Sequence, residues 1–348
     1  MGAEERDRDG HIAALKQVAA QFAVAVTPHL QAQIDPADPA DPIARQFLPD
    51  AAELVTHPHE AADPIGDEAH SPLPGIVHRY PDRLLLKLVN VCPVYCRFCF
   101  RRETVGPGSR GLTAGQLDAA IAYIADHPEV WEVILTGGDP LIVSPRRLKS
   151  VLQRLAAIPH LGVIRLHSRV PVVDPERVSP ALIDALKSGR GAEGRDKAVW
   201  LLLHANHERE FVAPAREAIA RLIDAGIPVL GQSVLLAGVN DTPEALAGLF
   251  RAMVRNRVKP HYLHHGDLAR GTAHFRVSLG RGQALMRSLR GRHSGLMQPT
   301  YILDIPGGHG KVPVGPLYAA PRADGQGWEV TDPWGCTHLY ADPAADRS

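Results

Sequence analysis

Three of the four cysteines in this 348-residue chain, Cys92, Cys96 and Cys99, fall within eight positions of one another. Three thiolates are one fewer than the four protein ligands that usually close a structural zinc site. An iron–sulfur cube held by three cysteines leaves one iron without a protein ligand, open to an exogenous molecule. A zinc site completed by a histidine or by Cys336 is the competing assignment, although the 3-then-2 spacing departs from the paired C-x2-C of zinc modules. Far downstream, Asp304-Ile-Pro-Gly307-Gly308-His309-Gly310-Lys311 sets a lysine on a loop freed of side-chain bulk. Glycines permit close backbone approach, and a lysine presented there is a candidate for a Schiff base with a carbonyl cofactor. The plain alternative is a surface lysine on a flexible loop. Gly137-Gly138-Asp139 is a third feature, readable by itself as an ordinary turn.

These residues need elements to position them. RLLLKLVNV, from residue 83, is a continuous apolar run of the kind a strand buried on both faces requires. Thr113-x-x-Gln116 resembles a capping box opening a helix to about 126, and WEVIL (131–135) is a second strand. Ser144-Pro145, Ser179-Pro180 and Thr242-Pro243 open further helices, another helix is expected at 213–225, and strands at 162–167, 198–204, 227–236 and 259–265. Six βα repeats imply a parallel sheet with right-handed crossovers, either doubly wound or a barrel with fewer staves than the TIM type. Polar residues follow the strands: Cys92 to Arg101, Thr136 to Asp139, Ser168-Arg169, His204 to Glu208 and His264 to Asp267, while Gln232-Ser233 lie within the fifth. Strand C-terminal ends form one face in such folds, so these loops are expected to converge on one pocket. Ahead of the repeats, helical spacing over 11–26 is closed by Pro28, and eight prolines between Pro36 and Pro74 read as an extended wrapping arm.

Composition narrows the function classes. Lys+Arg and Asp+Glu both number 38, which argues against neutralising a nucleic-acid backbone. No run approaches roughly 18 apolar residues, and the first ten residues are charged, so no membrane span is expected and the cytoplasm is the expected location.

The cysteine triplet, following a buried strand at the start of a βα array, resembles the signature of radical S-adenosylmethionine enzymes. In that superfamily a [4Fe-4S] cluster binds S-adenosyl-L-methionine at its open iron and splits the sulfonium. By this resemblance Cys92, Cys96 and Cys99 hold the cluster, Gly137, Gly138 and Asp139 hold the cofactor's amino end, and Ser168, Arg169, His204 and Gln232 match further cofactor-contacting positions. From about residue 60 to 318 the chain also resembles the lysine 2,3-aminomutase family. There the counterpart of Lys311 holds pyridoxal 5′-phosphate, those of Arg79, Tyr80 and Arg83 in HRYPDR hold its phosphate, and that of Arg101 binds the substrate carboxylate. Asp267 and Asp304 match the acid pair that grips the ε-ammonium of lysine. Two carboxylates close together make sense only opposite a cation, and glutamate-specific relatives replace them.

The resemblance implies a partial TIM-type (β/α)6 barrel. Residues 1–76 are expected to form the helix and wrapping arm, 77–290 the barrel core, and 291–348 the lysine-bearing segment and tail. It implies a 2,3-aminomutase interconverting L-lysine and β-lysine, fed by a one-electron reductant such as flavodoxin or ferredoxin. Alternatives are arginine as substrate, β-lysine supply for elongation factor P modification, and a non-enzymatic iron–sulfur protein. Two departures stand out: His309 interrupts the glycine run, and Cys336 stands alone where some members carry a cysteine-rich zinc motif, leaving a homo-oligomer open.

Overall fold

A curled nine-stranded sheet carries the architecture of the computed structural model, which describes residues 3–109, 111–191, 197–325 and 327–341. The end of the expected tail, 342–348, lies outside the described residues. The arm contains α1 (Ala3–Gln21), α2 (Pro28–Gln31) and α3 (Pro42–Phe47). Then follow β1 (Ile76–Tyr80), β2 (Arg83–Val89), α4 (Ala114–Ala125), β3 (Glu132–Gly137), α5 (Pro145–Ala156), β4 (Val163–Ser168), α6 (Val170–Val173), α7 (Pro180–Lys187) and β5 (Ala198–His204). The second half runs α8 (Ala213–Asp224), β6 (Val229–Val234), α9 (Pro243–Arg255), β7 (Lys259–His264), α10 (Leu279–Leu289), β8 (Thr300–Asp304) and β9 (Lys311–Pro313). A separate antiparallel sheet of β10 (Ala319–Pro321), β11 (Trp328–Thr331) and β12 (Thr337–Tyr340) ends the described chain.

The six βα repeats expected from the sequence are present, and β8 continues the parallel array past them. β1 and β9 pair antiparallel at the two ends. Thr113, Ser144, Ser179 and Thr242 cap their helices by accepting a backbone N–H three residues on. Each thereby satisfies one of a helix's orphan donors. Strand alternation sets the two faces of the sheet. Leu84, Leu86 and Leu88 are buried toward the helices. Arg83, Leu85 and Lys87 therefore face the lumen of the curl, and the register continues that face through Thr136, Arg165, His167, Gln232, Tyr262, His264, Asp304 and Lys311.

The N-terminal helix ends at Gln21, five residues before the apolar pattern does. Tertiary bonds override local propensity there. The Ala23 carbonyl accepts from the Arg97 guanidinium at 2.7 Å, and the Ala25 carbonyl from the Tyr95 N–H at 3.2 Å. Among the described residues no helix is long and apolar enough to cross a membrane.

Candidate active site

The loop leaving β2 carries Cys92, Cys96 and Cys99 as free, half-buried thiols that rim one pocket with Phe22, Val94 and Tyr95. Among the described residues no three His, Cys, Asp or Glu side chains converge on a single-ion site. Thiols spread around a shared space suit a body wider than one ion, and three thiolates are the donor set a cube with one open iron takes. Burial pushes the Cys92 thiol far up, aided by the charge of Asp139 and by the other two thiols, and burial and Cys96 raise Cys99 to about 11. Each thiol would have to give up its proton to ligate a cluster, so cluster binding would release protons.

Arm residues fix this loop in place. Arg97 is buried and donates to Glu53 from Nε at 3.0 Å, Arg102 pairs with the same carboxylate, and Glu53 is 1% exposed. Gln46 accepts the Arg97 N–H at its carbonyl, 2.8 Å away, and its side-chain oxygen accepts from Arg169 at 3.1 Å and from Asn206 at 3.0 Å. Arg169 also donates to the Cys96 sulfur at 3.2 Å and is paired with buried Glu210. Glu210, Gln46 and Glu53 were missed in the sequence, because a glutamine or glutamate in loop or arm sequence carries no spacing signal.

The glycines after β3 are fixed by backbone contact with the cysteine loop. A Cβ on Gly138 would lie 2.2 Å from the Val91 carbonyl oxygen, and one on Gly137, where φ is +99°, would lie 2.6 Å from that of Val89. Gly138 N–H donates to Val89 at 2.6 Å and Asp139 N–H to Val91 at 3.0 Å. The Asp139 carboxylate is consumed locally: it accepts from Ser168 Oγ at 2.8 Å, Leu141 N–H at 3.0 Å and Arg169 N–H at 2.8 Å. His204 stands on the lumen side of β5 with its Nε2 buried and without a partner, its ring edge-on to Phe98. Burial, then the charge of Arg169, holds it neutral well below the usual histidine range. Gln232 lies beside it in register, half-buried.

At the far edge of the sheet Lys311 is the β9 partner of Asp304, and its ammonium pairs with the Asp304 carboxylate. His264 Nδ1 lies 3.4 Å from the other carboxylate oxygen. Burial alone would raise the Asp304 carboxyl; the His264 hydrogen bond and the Lys311 charge override it and hold it at about 2. Asp267 lies within reach of the same charges. Burial, then repulsion by Asp304, pushes it up to about 7 against the pull of Lys311 and Arg101.

Tyr80 Oη accepts the Lys311 N–H at 2.8 Å, and the Arg83 guanidinium stacks 3.9 Å over the Tyr80 ring. Arg79 points elsewhere, donating to the Ile65 carbonyl at 2.5 Å and lying 3.4 Å from Asp67. Arg101 also reaches Asp67, at 2.8 Å. Asp67 itself was not singled out in the sequence. The arm also touches the lysine loop, where a Cβ on Gly66 would strike Gly307 and Gly308 at 2.8 Å, and His70 bonds the Gly308 carbonyl at 3.1 Å. Gly307, Gly308 and Gly310 all have positive φ, while the interrupting His309 points outward and is exposed.

Residues 86–250 match the radical SAM superfamily. The chain is 42% identical to L-lysine 2,3-aminomutase of Acetoanaerobium sticklandii, over 85% of this chain and 70% of that protein. Against L-lysine 2,3-aminomutase of Clostridium subterminale the identity is 40%, over 86% and 70% of the two chains. This chain belongs to the lysine 2,3-aminomutase family. Members of the lysine 2,3-aminomutase family are isomerases, and membership implies a [4Fe-4S] cluster, S-adenosylmethionine and pyridoxal 5′-phosphate. Glutamate 2,3-aminomutase of Clostridioides difficile is 36% identical, over 88% of this chain and 71% of that protein. Overall likeness thus spans two kinds of side chain, and the substrate has to be argued from the site.

Proposed function

We propose that the chain interconverts L-lysine and β-lysine, with Asp304 and Asp267 holding the substrate's ε-ammonium. The observation that carries this reading is that Asp304 already takes a primary ammonium, that of Lys311, with a second carboxylate in charge contact. A glutamate side chain would meet repulsion there. Lys311 would hold pyridoxal phosphate through the same amine that now neutralises Asp304, which would leave the acid pair for another cation.

In this reading Cys92, Cys96 and Cys99 hold the cluster, and Gly137, Gly138, Asp139, Ser168, Arg169, His204 and Gln232 surround S-adenosylmethionine. Asp139 and Ser168 do so by shaping the strand ends through their mutual bond. Tyr80 and Arg83 hold the pyridoxal phosphate group, which Arg79 joins only by leaving the Ile65 carbonyl and Asp67, and Arg101 takes the substrate carboxylate. The bound cofactors supply hydrogen abstraction and electron delocalisation; the protein supplies alignment and excludes water. Residues 1–76 act as the wrapping arm, 77–290 as the cluster-bearing core, and 291–348 supply the lysine and tail. The chain works as a cytoplasmic enzyme on a free amino acid with a one-electron reductant.

The deciding experiment is anaerobic incubation with reductant, S-adenosylmethionine and a panel of amino acids including lysine, arginine and glutamate, with chromatographic identification of isomers. β-Lysine is expected; turnover of glutamate but not lysine overturns the reading. Lys311→Ala should abolish the protein-bound absorbance of pyridoxal phosphate. Cys96→Ala should lose iron and sulfide after anaerobic reconstitution, and full retention would refute the ligand set.

A further inference from the structure

The lumen face of β2 carries a cation that the roles above leave unused. Lys87 pairs with Thr136 of β3 in the sheet register, five residues ahead of Cys92. Gly137 leaves little room to spare beside it: a Cβ there would lie 3.0 Å from that of Lys87. Lys87 is half-buried, and no described residue offers its ammonium a hydrogen bond or ion pair. Burial lowers its pKa, and the charges of Asp67, Asp63 and Glu68 act against that while the charge of Arg101 adds to it.

The anions nearby do not balance it. Asp63 already accepts the backbone N–H groups of Asp67 and Glu68, at 2.9 and 2.8 Å, and Glu68 is exposed. Asp67 is buried and shared by two guanidinium groups, Arg101 at 2.8 Å and Arg79 at 3.4 Å. Asp67 is thus already taken by two guanidinium groups, and the charge of Lys87, which faces the lumen, is left without a carboxylate of its own. A partly buried cation without a counter-ion is costly, and the cost disappears when an anion enters.

We propose that Lys87 and Arg101 form a two-cation clamp for the carboxylate of an α-amino acid, with Asp67 as the fixed counter-ion that holds Arg101 in position. Both the amino acid substrate and the methionyl end of S-adenosylmethionine carry that group, and the substrate arm of the idea rests on the lysine reading above.

The test is Lys87→Met, which keeps an unbranched side chain, with Lys87→Arg as the charge-retaining control. Iron and sulfide content should match wild type in both. In Lys87→Met, KM and the equilibrium dissociation constant for L-lysine should rise by about tenfold or more, as expected for a charge-assisted bond, with kcat changed much less. Lys87→Arg should recover most of the loss, and competition by 1,5-diaminopentane, which is lysine without its carboxylate, should be the same in all three proteins. A comparable loss confined to S-adenosylmethionine binding assigns the clamp to the cofactor's carboxylate. No shift beyond about twofold for either ligand overturns the clamp. Wild-type protein that binds lysine with the stated carboxylate dependence but forms no β-lysine would defeat the functional reading and leave the clamp standing.

Discussion

Asp267 and Asp304 occupy one site with opposite titration. Asp267 is raised from the ordinary 3.8 to about 7 by burial and by its neighbour. Between those values the folded chain holds a proton that the unfolded chain has lost, so this group's contribution to stability falls as pH rises from about 4 to 7. Asp304, held at about 2, contributes stability that is present above the ordinary carboxyl value and lost as pH falls toward 2. Comparing thermal unfolding of wild type and Asp267→Asn across pH 4–8 should show the decline only in wild type. For ligand the sign reverses: a cation prefers the ionised acid, so lysine affinity should weaken as pH drops below about 7, and Asp267→Asn should lose that dependence. Isothermal titration at several pH values checks it.

At the scale of elements, the cysteine loop takes its shape from what packs on it rather than from its own sequence. Glu53 on the arm neutralises Arg97 and Arg102 together. Glu53→Gln leaves two buried guanidinium groups short of a counter-charge and should cost about 3–5 kcal/mol in denaturant unfolding, with less iron retained per chain. Gly138→Ala places a methyl 2.2 Å from the carbonyl oxygen of Val91, the residue immediately before Cys92. It should lower both stability and cluster content, and an alanine variant with full iron occupancy would contradict the close-packing account. Parallel strands β2 to β7, the helix caps and the cysteine triplet were legible in the chain because each is a local pattern: an apolar run, a Ser-Pro or Thr-Pro start, a fixed spacing; β8, the seventh parallel strand, was not read. Gln46, Glu53, Asp67 and Glu210 were not legible. Their side-chain partners lie between 12 and 164 positions away in the chain, and nothing local marks a single polar residue that a distant segment will bury.

The whole molecule is a sheet that curls without completing its ladder. β1 and β9 are its opposite edges, yet Tyr80 on the first accepts the Lys311 N–H of the last. Neither edge was read as a strand in the sequence: at five and three residues they are too short for a periodic signal, and the second follows a glycine run. Tyr80→Phe removes one hydrogen bond, so overall stability should fall by only about 1 kcal/mol, whereas amide exchange at Lys311 should accelerate well beyond that of β3 to β6. Equal protection of Lys311 in both proteins would show that the join does not depend on this hydroxyl.

That join makes the molecule a bracelet fastened by a clasp. The Lys311 amine sits at the fastening, where strand pairing ends, so under the proposal above an aromatic guest would be seated or surrendered by undoing the clasp while every link of the bracelet stays whole.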